Sequence, residues 1–540
     1  MQKKLTNPFF AAAVREVPRL LGQIDRNPQS PTYGSCDRAF WLYRTNDISS
    51  MRYQEAALTL AFLYTTPFEG NVYHHDERVR SWANAAIRFA CSRQHANGSF
   101  DEWYVNEGSF VCTAFVSAAL AEAALVLGDN LEGREALVAA LKRSGDWLMR
   151  HEEGLVMNQS AGAISALQAI ALVTGGSRYE TAGNRRCEAF LAAQHGEGWW
   201  GEYGGPDAGY LSLTVDYLSR YAARTDDVRV RDAIEKASTF LTHLINPDGT
   251  VGGEYLARNT EYLIPSGFVR AASYSQSARK VAAFAVGVAH EGAGIAPHSL
   301  DDRYVCYILY NWIEAGIEWE ALKEKPTPST TLLAQPETFF PDAGLFVSGT
   351  DAHRMVVNLK KGGSLRLYAH GAVLVDSGVS VRIGKTVCAG NVFSPDTRTD
   401  YDPASATLRS AGPLIKVRAP LLTTGQAVLF KGFQLIFGGI SVFQRLLKST
   451  LRLVSVTRPG ASSDIRYERT VTLKPGKVVI TDMVKKVLPR EAIMVGGANI
   501  YALVPSSRYE ASNRLPTLVP ESESFEVRDG SVLLTRSFAV

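Results

Sequence analysis

Apolar positions recur at helical spacing through the first three-fifths of the chain. The segments they mark are 77–95, 108–127, 132–150, 158–174, 179–194, 208–224, 228–245, 275–290 and 299–316. An earlier helix follows Asp47 and Ser49, which suit capping positions, and carries Ala56, Leu60 and Leu63 on one side. Segments such as 114–127 and 161–173 are apolar nearly all round and suit a buried inner ring, whereas 231–244 is amphipathic and suits an outer one. Past Lys323 the pattern changes. The stretch 324–344 is rich in Pro and Thr and reads as a linker. Beyond it the period is two, in HRMVVNLK from His353, SLRLYAH from Ser364, IKVRAP from Ile415, DIRYERTVTL from Asp464, GKVVITDMV from Gly476 and SVLLTRSF from Ser531.

The helical part repeats. NGSFDEWYVNEGSF from Asn97, EGWWGEYGGPDAGY from Glu197 and DGTVGGEYLARNTEY from Asp248 each bring a small turn to a carboxylate beside an aromatic: Glu102–Trp103, Glu202–Tyr203 and Glu254–Tyr255. Eight residues after the carboxylate stands another aromatic, Phe110, Tyr210 or Tyr262, and HEEGLVMNQSAG at 151–162 fills the missing place. A period of about 50 residues marks stacked helical hairpins. A ring of hairpins, unlike a linear solenoid, gathers such loops at one mouth. The expected fold is therefore a multidomain α and β chain. An incomplete (α/α) toroid at 1–325 leads through a linker at 326–343 to an antiparallel β-sandwich at 344–540.

One stretch breaks the period-two pattern. Residues 428–452, VLFKGFQLIFGGISVFQRLLKSTLR, are strongly apolar with Lys431, Arg445, Lys448 and Arg452 interspersed. They read either as a helical insertion packed on the sandwich, favoured because Gly438–Gly439 weakens a surface helix, or as an interfacial helix touching an anionic membrane.

Composition narrows the function classes. With 46% hydrophobic and 21% charged residues in 540, the chain is globular and too long for one core. A net charge of +3 calls for no nucleic-acid partner. Cys36, Cys91, Cys112, Cys187, Cys306 and Cys388 are scattered without CxxC spacing and read as reduced core residues. Arg15 and Glu16 interrupt the only apolar patch near the N-terminus, which argues against a cleaved signal peptide, and no run is read as a membrane span. The expectation is a soluble cytoplasmic protein, with peripheral contact at the inner membrane as the variant that 428–452 would add.

Several residues are candidates for chemistry, each with a plainer reading beside it. Asn158, in NQSAGAISALQAIAL, is a neutral donor or a helix cap. Tyr210, in GEYGGPDAGYLSL, is a proton carrier or an inner-ring aromatic like Phe110 and Tyr262. His353, in GTDAHRMVVNLKKGG, is an acid/base or an ordinary strand histidine. Arg258, Asn259 and Glu261 form a polar cluster in which Arg258 pairs with a sugar carboxylate or braces the loop against Glu261. Trp103, Trp199, Trp200 and Tyr203 are sugar-stacking platforms or loop packing, and Glu102, Glu107 and Glu202 offer the paired carboxylates of a hydrolase. His74–His75–Asp76 reads as a solvated turn, and no metal site or cofactor is expected.

The order of toroid, linker and β domain, together with these motifs, resembles the heparinase II/III-like and alginate-lyase-like polysaccharide lyases over about residues 32–540. The resemblance implies that Asn158, Tyr210 and His353 are catalytic. Arg258, Asn259, Glu261, Trp103, Glu107, Trp200, Glu202 and Tyr203 would bind substrate, at a domain interface. Two positions depart from the pattern: Gln159 stands where many such lyases have His, and His353 continues as HRM. The implied activity is β-elimination on an anionic, uronic-acid-containing polysaccharide or oligosaccharide. A C5-epimerase, a glycoside hydrolase on a similar toroid and a non-catalytic polysaccharide-binding protein remain the alternatives.

Overall fold

The computed structural model describes residues 6–329, 335–417, 423–437, 440, 443, 460–496 and 515–540. The helical part runs α1 (Pro8–Leu21), α2 (Arg38–Trp41), α3 (Ala56–Thr65), α4 (Glu77–Arg93), α5 (Phe110–Leu127), α6 (Arg134–Arg150) and α7 (Met157–Thr174). It continues α8 (Ser177–Ala192), α9 (Ala208–Thr225), α10 (Val228–Thr242), α11 (Ser266–Ala271), α12 (Gln276–Glu291) and α13 (Asp302–Ala321). Local chemistry sets these limits. Asp76, Ser109, Asp207, Asp227, Ser275 and Asp301 each cap the helix that follows by accepting a backbone N–H, and α7 and α12 end on left-handed Gly175 and Gly292.

Helices α3, α5, α7, α9, α11 and α13 pack in that order, and α13 returns to α3, so the inner ring closes. Helix α5 is long and apolar enough to span a membrane, which the sequence reading had denied to every run, but 83% of that window is buried. A helix surrounded by other helices needs no polar face. The apolar patch near the N-terminus is α1, whose Phe9, Phe10, Ala13 and Val17 are buried and which packs on α13. Glycine sets the spacing of the hairpins. Gly34, Gly98 and Gly198 have φ of 91°, 94° and 101°, and a Cβ on each would lie 2.1–2.3 Å from a carbonyl oxygen of α4 (Ala85), α6 (Arg143) or α10 (Lys236). Only glycine fits that approach.

The C-terminal part is antiparallel throughout its named ladders. A first sheet runs in order β1 (Gln335–Phe340), β2 (Leu345–Gly349), β3 (His353–Asn358), β4 (Ser364–Ala369) and β5 (Ala372–Asp376). The second contains β6 (Val379–Ile383), β7 (Thr386–Ala389), β8 (Arg398–Asp402), β9 (Thr407–Lys416), β10 (Ser462–Lys474), β11 (Lys477–Val484), β12 (Ile493–Val495), β13 (Ser522–Arg528) and β14 (Ser531–Ala539). Its order is β12-β6-β7-β9-β10-β11-β14-β13, with β8 on β9. Helix α14 (Thr424–Phe437) lies between β9 and β10.

The first sheet is buried on both faces. Phe346, Met355, Val357, Leu365 and Leu367 share a core with Leu408, Val471, Ile480 and Phe538 of the second sheet. Leu345, Val347 and Val356, on the other face, join the core of the toroid. Polar residues of that second face clamp the domains together. Arg366 Nε donates to Glu254 at 2.8–2.9 Å and its Nη2 to Glu261; Asn358 Nδ2 reaches the Tyr255 carbonyl at 2.8 Å and Arg354 the His243 carbonyl at 2.7 Å. Lys361 Nζ donates to the carbonyls of Glu254 and Leu256 and to Asn259 Oδ1. Inside the sandwich, Arg469 and Arg536 pair with Asp376 and Asp482, all four buried.

Replacing Arg366 with Met strands two buried carboxylates and is expected to cost about 3–5 kcal/mol in urea unfolding. Adding Glu254→Gln and Glu261→Gln should recover part of that loss. A single-variant cost below about 1 kcal/mol would mean that the Arg366 ion pairs add little to the join between the domains.

Candidate active site

The repeat loops meet at one end of the ring around a cavity of about 330 Å³. Every residue lining it belongs to the helical part. Its polar wall comprises Asn158 and Gln159 from α7, Tyr210 from α9, Arg258 and Tyr262 from the loop before α11, and Arg303, Tyr304 and Tyr307 from α13. Arg52, Glu102, Trp103 and Tyr203 complete it.

Asn158 is the second residue of α7, whose cap is Val156, so its side chain does not cap the helix. It donates its backbone N–H to Glu202 at 2.7 Å and its Nδ2–H to the same carboxyl at 2.9 Å. One amide hydrogen is thus anchored, which fixes the carboxamide at the cavity wall. Burial pushes the Glu202 carboxyl well above its ordinary value of 4.5, with Asn158's two donors pulling against it.

Asp207 joins the two sides of the site. Its side chain caps α9 at Tyr210 N, 3.3 Å away, and also accepts from Arg258 N at 2.9 Å, Thr260 N and the Thr260 hydroxyl. One buried carboxyl therefore ties the start of α9, at Tyr210, to the backbone of Arg258. The Arg258 guanidinium lies 4.4 Å from the Tyr203 ring centroid, and its Nε is buried without a partner among the described residues. Tyr203 holds φ at +55°, uncommon for a bulky residue, with its ring 6.4 Å from that of Tyr210. Burial pushes the Tyr210 phenol well above its ordinary value; Tyr304 and Tyr203 add to this, and Arg258 opposes it. Tyr210 is therefore a neutral phenol at neutral pH.

Two more guanidiniums face the cavity. Arg303 pairs with Glu102 at 2.8 Å and lies 3.9 Å over Trp103, which is 62% exposed. Arg52 pairs with Glu55 and lies 4.2 Å over Tyr307 and 4.6 Å over Phe115. Glu102 and Glu55 pair with two of the three arginines, and Arg258 has no ion pair among the described residues, so it gives the lining its positive charge.

Of the residues singled out in the sequence, Trp103, Asn158, Tyr203, Tyr210 and Arg258 come together here. Others stand elsewhere. His353 lies outside the cavity, half-buried, with Nδ1 3.2 Å from Thr350 Oγ1. Strand alternation explains this: Arg354 and Val356 turn to the toroid, so the His353 side of β3 faces away, with Met355 and Val357. Glu261 is taken by Arg366, and Asn259 by Lys361. Trp200 is core, stacked on Phe190 at 4.8 Å, with its N–H on the Phe190 carbonyl. Glu107 braces its own loop by accepting from the N–H groups of Glu102 and Trp103 at 2.9 and 2.8 Å, and Glu202 sits behind Asn158. Asp207, Arg52, Arg303, Tyr304 and Tyr307 were not singled out. The signal for three of them was the i, i+1, i+4 run in DRYVCY, which puts Arg303, Tyr304 and Tyr307 on adjoining faces of the last inner helix.

No protein-family model matches the sequence, and no curated protein matches it. Solved structures do. The Streptomyces coelicolor A3 chondroitin AC lyase, in complex with chondroitin sulphate, aligns over 99% of this chain and 78% of its own with a TM-score of 0.56 at 9% identity. Heparinase III aligns over 100% of this chain and 84% of its own with a TM-score of 0.50 at 10% identity. The fold is that of the polysaccharide lyases built from a helical toroid and antiparallel sheets.

A carboxyl whose pKa is raised by folding supports stability at low pH and loses that support as pH rises. Glu202→Gln removes the ionisation. The melting temperature of the variant minus that of the wild type should therefore rise steadily as pH climbs from about 4.5, the ordinary value, to 9. A difference independent of pH would mean that Glu202 ionises as freely folded as unfolded.

Proposed function

We propose that this chain is a polysaccharide lyase that cleaves a uronic-acid-containing glycan by β-elimination in the toroid cavity. The observation that carries the reading is the convergence of Asn158, Tyr210 and Arg258 on one cationic cleft. Elimination removes the proton at C5, beside an ionised carboxylate that opposes the growing negative charge. The free Nδ2–H of Asn158 and the Arg258 guanidinium, both on the cavity wall, can donate to that carboxylate and spread the charge. Tyr210, neutral and half-buried at the cavity wall, then works as a relay. Its oxygen accepts the C5 proton, the C5–H electron pair forms the C4=C5 double bond, and the C4–O bond breaks. The phenol's own proton goes to the leaving oxygen, so no free tyrosinate is needed.

The lining favours this over the hydrolase. A glycosidase needs two carboxyl groups across the bond, about 5–9.5 Å apart. Among the described residues Glu102 is the single carboxylate lining the cavity, and Arg303 holds it. Among the described residues the cavity wall carries no histidine, so the acid/base groups around Tyr210 are phenols and Glu102.

Purified protein mixed with a panel of uronic-acid polysaccharides should raise absorbance near roughly 232 nm, where unsaturated uronates absorb; hydrolysis and epimerisation would leave it flat. Tyr210→Phe should lower turnover at least about 100-fold with binding largely kept, and Asn158→Ala by about 100- to 1000-fold. Gln159→His should be tolerated. Wild-type turnover in Tyr210→Phe, with Glu102→Gln inactive, would replace elimination with hydrolysis.

A further inference from the structure

Among the described residues, helix α14 meets the toroid by one side. Lys431 Nζ pairs with Asp47 at 2.6 Å, the Phe430 ring lies 5.7 Å from Tyr104, and Gln434 is buried. These contacts tie the helix to loops of the toroid, on the cavity side, since Tyr104 adjoins the cavity-lining Trp103. Its opposite side is aliphatic and open. Val428 is 67% exposed, Leu429 75%, Leu435 70% and Ile436 70%. Their spacing of i, i+1, i+7 and i+8 places them on one stripe two turns long. A soluble surface rarely leaves such a stripe uncovered.

Charge says what covers it. From Lys416 to Ser463 the sequence carries seven basic residues, Lys431, Arg445, Lys448 and Arg452 among them, and no acidic one. The whole chain is only +3. A second copy would bring the same +7 against itself, which opposes self-association. The exposed stripe also has no hydrogen-bonding side chain. Aliphatic side chains in a stretch of sequence whose only charges are basic match the two layers of an anionic bilayer surface, acyl chains below and phosphates above.

We propose that α14 is a membrane-docking helix that lays Val428, Leu429, Leu435 and Ile436 into an anionic lipid surface. The docked chain carries its cavity mouth beside that surface, so the glycan it meets is one presented at a membrane. The docking is independent of the chemistry in the cavity; the identity of the cargo as a glycan rests on the proposed function.

Flotation of the full chain with vesicles tests it without any substrate. The protein should float with phosphatidylcholine vesicles containing phosphatidylglycerol and much less with phosphatidylcholine alone, and 0.5 M salt should weaken the binding about tenfold or more. The Leu429→Ser/Leu435→Ser/Ile436→Ser variant should lose at least about tenfold in bound fraction while keeping the wild-type circular dichroism and melting temperature. Should that variant fail to fold, Leu435→Trp supplies a second readout: its added fluorescence should be quenched by brominated lipid. No flotation with anionic vesicles, or no quenching at position 435, overturns the proposal. So does a dimer in light scattering that the serine variant dissolves, because the stripe would then be an interface between copies.

Discussion

A guanidinium cannot stay uncompensated where Arg366 sits, and the placement of the cavity follows from how the toroid answers it. Glu254 and Glu261 bracket the loop before α11, and both pair with Arg366. Lys361 takes the loop's middle through Asn259, and Asp207 holds the backbone of Arg258 from the other side. A loop fixed at both ends and twice between them has little freedom left. The sandwich thus shapes the cavity without lining it: it immobilises the segment on which the cationic side chain stands.

The same economy of buried charge runs inward. Glu202 is spent on Asn158, Glu107 on the loop of Trp103, and Asp207 on the start of α9. Three carboxyls that could have faced a ligand are turned instead to backbone and amide donors, which leaves the arginines dominant at the surface of the cavity. A site built for anions needs its acids behind the wall rather than on it.

The helical ring was legible because its signals are local. All-apolar stretches such as that of α5, and the 50-residue recurrence of a carboxylate beside an aromatic, are read from short stretches of chain, whereas Asp47 and Ser49, expected as caps, do not cap α3, which follows Glu55. The switch to period two past Lys323 was equally local. The site was legible in part, where one repeat position recurs: Tyr210 and Tyr262 share it, and both line the cavity. What failed needed distance or parity. His353 was misplaced because one residue along a strand reverses the face, and a histidine carries no mark of which face is buried. Trp200 looked like its neighbour Tyr203, yet the chain turns between them. Arg52 and Arg303 are 251 positions apart and become neighbours only when α13 meets α3.

That meeting has a thermodynamic side. In an open array of hairpins the terminal units fray and stability accumulates unit by unit. A ring has no terminal unit, and here its seam is also a wall of the cavity, with Arg52 of the first hairpin lying over Tyr307 of the last. A ligand held in the cavity would touch both sides of the seam, and one that favoured the closed ring would act as a clasp, linking occupancy to ring closure.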